Sequence, residues 1–395
     1  MSVVYPFDTP AGCDVEPEGL RLLAEAPMVR AVMASGGQPV WLVLGYQEVR
    51  QVLSDPRFSR EAASRPGSPV TNQAGANPEL LVSMDPPRHS RVRGLVAKAF
   101  SARTVERLEP RIRALVDGLL DGMVAHGTPA DLVRMVTEPL PIMVICELLG
   151  VPDADRARIR QWAGTLIAET AYSPEEIVAA IGQVNAYLTE LIEQRRRIPD
   201  TALISALIAV NDEGQHLSPS ELVSNVQLLL IAGHETTVSQ IGNSMVTLFQ
   251  HPDQMALLRD QPELLPRAVD ELLRHSKLVA STLPRIAVED AMVGQTLVQT
   301  GEAVIPLVAV ANRDPEAFPD PHRFDITRTG PAPHLGLGHG PHFCLGAQLA
   351  RLELQSAIGA LLTRFPTLAP AADLDTLQWK TGLSTRSLHS LPITW

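Results

Sequence analysis

A single cysteine stands in a stretch with four glycines, LGLGHGPHFCLGA at 335–347. Cys344 is followed by LGAQLARLELQSAIGALLTRF, whose leucines and alanines favour a helix. The thiol would then lie near a helix N-terminus, where free N–H groups and the helix dipole stabilise a thiolate. Glycines at 336, 338 and 340 permit backbone conformations closed to other residues, and Gly346 leaves space one turn from the sulfur. A flat molecule could approach the sulfur closely in such a loop.

The loop alone leaves three interpretations of Cys344 open. A buried, inert cysteine in a glycine-rich turn is common. A zinc site would need several Cys or His ligands at close spacing, and only His342 stands near Cys344 in useful register. A nucleophilic cysteine would need a base and an orienting group, and the sequence does not exclude either.

A second candidate pair lies in a long apolar segment, NVQLLLIAGHETTVSQIGNSMVTLF at 225–249. Gly233 costs a helix interior about 1 kcal/mol relative to alanine, and Glu235 and Thr236 are polar in an otherwise apolar run. Such departures from local preference are typical of functional sites. The alternative is that Thr236 bonds back to the preceding turn and Glu235 faces solvent.

Two further charged pairs have helical spacing. In ELLR, Glu271 and Arg274 are three residues apart, and in HSRVR, His89 and Arg93 are four residues apart. Each pair therefore shares one helix face. Pairs of this kind usually lie on solvated surfaces and contribute little to stability, so the spacing alone assigns them no function.

The composition limits the class of protein. The formal net charge of −11 argues against a nucleic-acid partner. The three cysteines are odd in number and far apart, which favours a reducing compartment and predicts a cytoplasmic location. The N-terminal sequence has no signal-peptide pattern, and no run of about 18 apolar residues occurs. We therefore expect no membrane association.

The elements that must position these residues are mainly helices. Thr128, Ser173 and Ser218 each precede a proline and an acidic residue, the pattern of a capped helix start. Strand patterns are confined to 38–44 and to 283–308, where glycines separate short β-branched runs. Strands do not alternate with helices, so a doubly wound sheet is disfavoured. We predict a mainly α protein with small β-sheets.

The cysteine loop resembles a loop of a known protein family. LGHGPHFCLG at 337–346 is similar to the heme-binding loop of cytochromes P450, with Cys344 at the position of the thiolate ligand of the heme iron. The resemblance implies heme b (iron protoporphyrin IX) as cofactor, with Gly338 and Gly346 beside it. One position departs, because Leu337 stands where the family usually has phenylalanine. That ring normally packs near the thiolate, so the departure concerns the electronic tuning of the iron.

Other segments match the same family in order and spacing over nearly the whole chain. The resemblance implies that Glu235 and Thr236 deliver protons during oxygen activation, and that Glu271 and Arg274 form a buried structural triad with Arg323 of DPHRF. It also implies four contacts to the heme propionates, by His89, Arg93, Arg285 and His342. A proline-rich connection at 311–325 completes the match.

The resemblance implies the cytochrome P450 fold, a large helical lobe plus a small β-rich lobe, as a single domain over 1–395 enclosing one heme. The implied reaction inserts one oxygen atom from O2 into a C–H bond or an alkene. Candidate pocket residues follow from family order: Leu229, Ala232, Val279, Thr282 and Leu383. Because the candidate lining is aliphatic or small, we expect a largely apolar small molecule, foremost a macrolide, other polyketide or terpenoid intermediate.

The chain has no dinucleotide-binding glycine motif, so it needs a separate source of electrons. We expect a ferredoxin and a ferredoxin reductase, and a monomeric enzyme. The segment from Arg88 to Arg113 has eight basic and two acidic residues and is the predicted docking surface for the acidic ferredoxin. Two alternatives remain, a peroxide-driven heme enzyme and a non-catalytic heme-binding sensor.

Overall fold

Capping sequences set the starts of two long helices. Ser173 Oγ accepts a hydrogen bond from the Glu176 N–H at 3.2 Å, and the Glu176 carboxylate accepts from the Ser173 N–H at 2.8 Å. Ser218 and Glu221 form the same reciprocal pair, at 3.0 and 2.9 Å. Both pairs satisfy backbone donors that a helix start otherwise leaves unpaired. The helix starts predicted at these two serines are confirmed.

The computed structural model describes residues 3–7, 12–71, 77–166, 168, 170–212, 217–279, 282–330 and 332–395. Its helices are α1 (Pro17–Glu25), α2 (Tyr46–Ser54), α3 (Arg60–Ala63), α4 (Arg88–Ala97), α5 (Ala102–His126), α6 (Pro139–Leu149), α7 (Arg156–Leu166), α8 (Pro174–Arg197), α9 (Leu203–Asp212), α10 (Pro219–Gln250), α11 (Pro252–Asp260), α12 (Leu265–His275), α13 (Val308–Ala311) and α14 (Ala347–Arg364).

The strands are short. They are β1 (Val3–Tyr5), β2 (Met28–Met33), β3 (Pro39–Val43), β4 (Phe58–Ser59), β5 (Ala130–Asp131), β6 (Arg285–Ala287), β7 (Ala291–Val293), β8 (Thr296–Val298), β9 (Ala303–Pro306), β10 (Ala369–Pro370) and β11 (Pro392–Thr394). Both predicted strand regions, 38–44 and 283–308, are confirmed by β3 and by β6 to β9.

The chain divides into two compact units. Unit 1 comprises Met1–Pro78 and Asn243–Ala347, and unit 2 comprises Glu79–Gly242 and Gln348–Trp395. Unit 1 carries most of the strands, in a six-stranded sheet of order β1-β2-β3-β9-β6-β4 and a β7-β8 hairpin. Strand β3 runs parallel to β9, with Val40 opposite Ala303. Leu42 of β3 and Ile305 of β9 belong to the buried apolar core formed on this sheet.

Unit 2 is largely helical, and α10 packs closely on α6. A Cβ placed on Gly233 would lie 2.8 Å from Ile145 Cδ1. Gly233 is therefore explained by the close approach of the two helices, which offsets its low helix propensity. The unit also holds a three-stranded sheet of order β10-β11-β5.

One predicted helix start is wrong. The residues after Thr128 form β5, in which Ala130 pairs with Ile393 of β11. The Asp131 carboxylate accepts hydrogen bonds from the N–H groups of Val133 and Leu391 at 3.0 and 2.9 Å. Pairing with a strand that is distant in sequence thus overrides the local capping pattern.

The predicted class, mainly α with small β-sheets, is confirmed by these elements. In the described part of the chain, no helix combines the length and the apolar character needed to cross a lipid bilayer.

Candidate active site

The cysteine loop in unit 1 is a series of backbone turns. The Gly338 N–H donates to the Leu335 carbonyl at 2.8 Å, and the Cys344 N–H donates to the Leu337 carbonyl at 2.8 Å. Gly338 has a φ of +78°, which side-chain-bearing residues rarely adopt. Cys344 lies three residues before α14 begins at Ala347. The predicted location of the sulfur near a helix N-terminus is confirmed.

Residues outside the loop hold it in place. The Leu335 N–H donates to the Asn312 side-chain oxygen at 2.7 Å, and the Tyr46 hydroxyl donates to the Pro333 carbonyl at 2.7 Å. A Cβ on Gly336 would overlap the Leu273 carbonyl oxygen at the end of α12. We did not identify Asn312 or Tyr46 from the sequence. The polar triplet before a proline, NRDP at 312–315, was the signal that could have pointed to Asn312.

Of the three cysteines, all of which are described, only Cys344 is partly accessible. Cys13 and Cys146 are 5% and 0% exposed, and burial raises the pKa of Cys146 to about 12. A thiolate ligand for a cofactor can therefore come from Cys344 alone. The described residues contain no cluster of three or more His, Cys, Asp or Glu side chains that could hold a metal ion.

A buried ion-pair cluster lies at the end of α12 in unit 1. Arg274 binds the Glu271 carboxylate with two hydrogen bonds of 2.7 and 2.8 Å, and both side chains are almost fully buried. Arg274 also donates to the backbone carbonyls of Asn312 and Pro321 at 2.8 and 2.9 Å. The pair thus fixes the segment that carries Asn312, and through it the cysteine loop.

The third member of this cluster is Arg328, and the prediction of Arg323 is wrong. Arg328 Nε lies 3.2 Å from Glu271 Oε1, with a side chain 15% exposed. The Arg323 side chain is 66% exposed, and its acidic neighbour, Asp325, is 3.9 Å away. Phe324 is buried, which turns the preceding side chain outward. Arg323 contributes only its backbone carbonyl, which accepts from Arg274 and Arg328 at 3.2 and 2.8 Å.

The acid and alcohol of α10, in unit 2, have different environments. Glu235 is 7% exposed, and burial raises the pKa of its carboxyl group above the usual value. Thr236 is half-buried, and its hydroxyl donates to the Ala232 carbonyl at 2.5 Å. Thr236 therefore bonds back to the preceding helical turn, as the alternative interpretation predicted. Glu235 does not face solvent, so that part of the alternative is wrong. Adjacent His234 has a pKa lowered to about 4 by burial, so its imidazole is neutral near pH 7.

A charged cluster in unit 2 acts on Glu235, and its members were not predicted from the sequence. Glu138 pairs with Lys380 at 3.3 Å and with Arg160 at 3.6 Å, and all three side chains reach solvent. Lys380 and Arg160 lower the pKa of Glu235 against the larger effect of burial, while Glu138 raises it. The cluster thus places solvent-accessible charges where they act on the titration of a buried acid.

The four candidate propionate contacts are basic side chains with restricted exposure. In unit 2, His89 is 2% exposed, and burial, followed by the charge of Arg93, lowers its pKa. Arg93 is half-buried. In unit 1, Arg285 is 4% exposed and His342 is half-buried. Buried donors of this type suit carboxylates, and one accessible thiol suits an iron ligand, so the residues present fit a heme.

The candidate pocket residues are small or aliphatic in both units. In unit 2, Leu229 is buried and Leu383 is half-buried, whereas Ala232 is exposed although it lies inside the long helix α10. Ala232 and Thr236 therefore form an accessible stripe on a helix that is mostly buried. In unit 1, Val279 is 38% exposed, and the half-buried Thr282 donates its hydroxyl to the Pro306 carbonyl.

The basic segment of unit 2 contains both paired and unpaired cations. Four of its arginines have acidic partners within 3.0 Å: Arg88 with Glu79 and Glu221, Arg91 with Glu221, Arg111 with Glu147, and Arg113 with Glu109. Lys98, Arg103 and Arg107 are exposed and have no acidic partner among the described residues. These three residues, the cation patch, carry the charge that remains available to a partner.

Comparison with known proteins agrees with this geometry. The family model of cytochrome P450 matches residues 172–390. The chain is 46% identical over 393 residues to nocardicin C N-oxygenase of Nocardia uniformis subsp. tsuyamanensis, covering 99% of this chain and 98% of that protein. It is 42% identical over 396 residues to mycinamicin IV hydroxylase/epoxidase of Micromonospora griseorubida, covering 99% and 98%.

A solved structure has the same fold over the full length. The LnmA cytochrome P450 hydroxylase from the leinamycin biosynthetic pathway of Streptomyces atroolivaceus S-140 superposes with a TM-score of 0.93 at 44% identity, covering 100% of each chain. The accessible cysteine in its glycine loop, the buried Glu271 and Arg274 pair, the family-model match and the two full-length relatives all agree. The chain belongs to the cytochrome P450 family, whose members are heme-dependent oxygenases.

Proposed function

We propose that this cytochrome P450 oxidises a bulky, largely apolar natural-product intermediate, with Cys344 as the thiolate ligand of the heme iron. The observation that carries the ligand assignment is the partial exposure of Cys344, in contrast to the burial of Cys13 and Cys146. The backbone at Gly338 and Gly346 lets the loop approach the macrocycle. His89, Arg93, Arg285 and His342 would bind its propionates.

Heme, when bound with a thiolate ligand, supplies the activation of O2 and the transfer of one oxygen atom to the substrate. In this chain, Glu235 would hold the proton that this chemistry consumes. Burial favours the protonated form of Glu235, and the Glu138, Arg160 and Lys380 cluster supports its reprotonation from solvent. Thr236, four residues from accessible Ala232, would orient water or substrate beside that acid.

The substrate class is supported by the relatives and by the candidate lining. The two relatives are named for oxidation of nocardicin C and mycinamicin IV, and the solved structure for leinamycin biosynthesis. Leu229, Ala232, Val279 and Leu383 offer aliphatic surface without a fixed charge. Hydroxylation and epoxidation are the proposed outcomes.

Cytochromes P450 of bacteria take electrons from redox partners, and we propose a ferredoxin with its reductase for this chain. The exposed cation patch of Lys98, Arg103 and Arg107 supports an acidic donor. We further propose that the chain acts as one domain around one heme, as a monomer in the cytoplasm, where its three cysteines stay reduced.

The test is turnover of a natural-product library by the heme-loaded enzyme with a surrogate ferredoxin, ferredoxin reductase and NADPH. We expect a library member that shifts the heme spectrum on binding to gain one oxygen atom, detected by mass spectrometry and labelled from 18O2. Turnover with hydrogen peroxide but not with O2 and reductant would support the peroxide-driven alternative. Binding without any product under both conditions would support the sensor.

A further inference from the structure

A groove within unit 2 is separate from the motifs of the oxygenation site. Its volume is about 670 Å³, and it lies between the end of α4, the first turns of α5, the end of α6 and the start of α9. Its apolar lining includes four buried leucines, Leu95, Leu148, Leu203 and Leu207. Small-molecule sites in proteins typically occupy about 300–1,000 Å³ and are lined mainly by apolar side chains. The groove has the size and lining of a ligand site.

Two acidic and two basic residues line the groove, and among the residues that the structure describes only the acidic ones form ion pairs with neighbouring charges. Glu147 pairs with Arg111 at 2.9 Å, and Asp200 pairs with Arg195 at 2.9 Å. The cations that line it are Lys98 and Arg107, which have no acidic partner in the described part of the chain.

The Asp200 carboxylate is also engaged by neighbours at the start of α9. It accepts hydrogen bonds from the Ala202 N–H at 3.0 Å and from the Ser205 hydroxyl at 2.7 Å. Together with the ion pair to Arg195, these two hydrogen bonds engage both oxygens of the carboxylate. Repulsion of an anion by this acid is therefore reduced, whereas Lys98 and Arg107 can still donate to one.

We propose that this groove binds a single molecule of an amphipathic carboxylate, such as a fatty acid. Its hydrocarbon chain would lie along the four leucines, and its carboxylate would bind Lys98 and Arg107. The apolar lining favours the hydrocarbon chain because removal of hydrocarbon from water is favourable. The two cations favour the carboxylate over a neutral head group. The binding does not depend on how the electron donor docks.

A carboxylate bound in the groove would also affect the reduction of this protein by its electron donor. This effect rests on the proposed docking of an acidic ferredoxin. Lys98 and Arg107 are two of the three residues of the cation patch. A bound carboxylate would neutralise part of that charge and slow electron delivery at low ionic strength. Arg103 belongs to the patch but does not line the groove.

The test is calorimetric titration of the heme-loaded protein with dodecanoate, with the heme site first saturated by 4-phenylimidazole so that the substrate pocket is blocked. We expect saturable binding that is weakened about tenfold or more in the Lys98→Gln, Arg107→Gln double variant, since both charged hydrogen bonds are lost. Ala206→Trp places a ring in the groove from an exposed position of α9 and should have a similar effect without a charge change. Arg103→Gln is the matched control and should bind dodecanoate within about twofold of the unsubstituted protein, because it removes a patch cation outside the groove.

Equal affinity in the unsubstituted protein and in both groove variants would overturn the proposal. So would equal affinity for dodecanol and dodecanoate, or no saturation up to about 1 mM. If ferredoxin occupied the groove while dodecanoate failed to bind, the groove would serve only the donor protein. That result also contradicts the proposal. The reduction kinetics of Arg103→Gln distinguish ferredoxin docking on the cation patch from carboxylate binding in the groove. Slower reduction of this variant with intact dodecanoate binding would support ferredoxin docking independently.

Discussion

Glu235 is a buried acid in a helix that is otherwise largely apolar, and its protonated form is favoured by burial. Glu235→Gln keeps the shape of the side chain but removes the transferable proton. We expect product formation to fall on the order of 10²-fold, with NADPH consumption diverted to hydrogen peroxide. The measurement is the ratio of product to NADPH consumed.

Glu190→Gln is the control for this variant, because Glu190 is an exposed glutamate of α8. It should leave both product and coupling unchanged. If Glu235→Gln formed as much product per NADPH consumed as the control variant, Glu235 would not belong to the proposed proton path.

The pH dependence of turnover tests the charged cluster beside Glu235. Lys380 lowers the pKa of Glu235, so Lys380→Met should raise that pKa and keep Glu235 protonated to higher pH. The alkaline limb of the kcat profile should then move to higher pH, and Lys380→Arg should restore its position. A limb that stays in place, or moves to lower pH, would contradict the role of the cluster.

Side chains whose type and spacing match a family motif were predictable from the sequence, and those held by tertiary contacts were not. The family assignment, the heme cofactor and the enzyme class are confirmed. Arg328 was missed because its role depends on how the chain turns after buried Phe324, which spacing does not reveal. Lys380 and Glu138 were missed because they are 242 residues apart in the chain. The roles of Cys344, Glu235 and Thr236 stay predictions.

At the scale of elements, the end of α12 connects an ion-pair cluster to the cysteine loop through Asn312. Arg328→Ala should lower the free energy of unfolding by about 3 kcal/mol, because it leaves the buried Glu271 carboxylate with one partner fewer. Arg323→Ala should change it by less than about 0.5 kcal/mol, since the Arg323 side chain is 66% exposed. Thermal unfolding of the two variants measures the difference. If Arg323→Ala and Arg328→Ala lowered the stability equally, the assignment of Arg328 in place of Arg323 would be contradicted.

Elements with strong local signals were predictable, while those made by distant pairing were not. The capping boxes at Ser173 and Ser218 involve residues three apart, so they are visible in sequence and formed as expected. The sheet of β10, β11 and β5 has strands of two or three residues joined over long separations. Such strands carry almost no periodic pattern, and this is why the segment after Thr128 was predicted as a helix.

At the scale of the molecule, a chain of net charge −11 retains an exposed cation patch at Lys98, Arg103 and Arg107. Reversing two of these charges with Arg103→Glu and Arg107→Glu should slow reduction by ferredoxin about tenfold or more at low salt, with the difference shrinking as salt screens the surface. Substrate affinity, measured by the spectral shift, should not change. Stopped-flow reduction measures the rate.

The control variant reverses two exposed arginines at the end of α8, Arg196→Glu and Arg197→Glu, and changes the net charge equally. It should be reduced at nearly the unsubstituted rate. If both double variants slow to the same extent, the effect would reflect net charge, and the patch would not be the docking surface.

The most direct test of the account is the carbon monoxide difference spectrum of the reduced, heme-loaded protein. We predict the red-shifted Soret band of thiolate ligation in the unsubstituted protein and in Cys13→Ala, and its loss in Cys344→Ala. An unchanged band in Cys344→Ala would contradict the assignment of Cys344 as the heme ligand, and with it the proposed site.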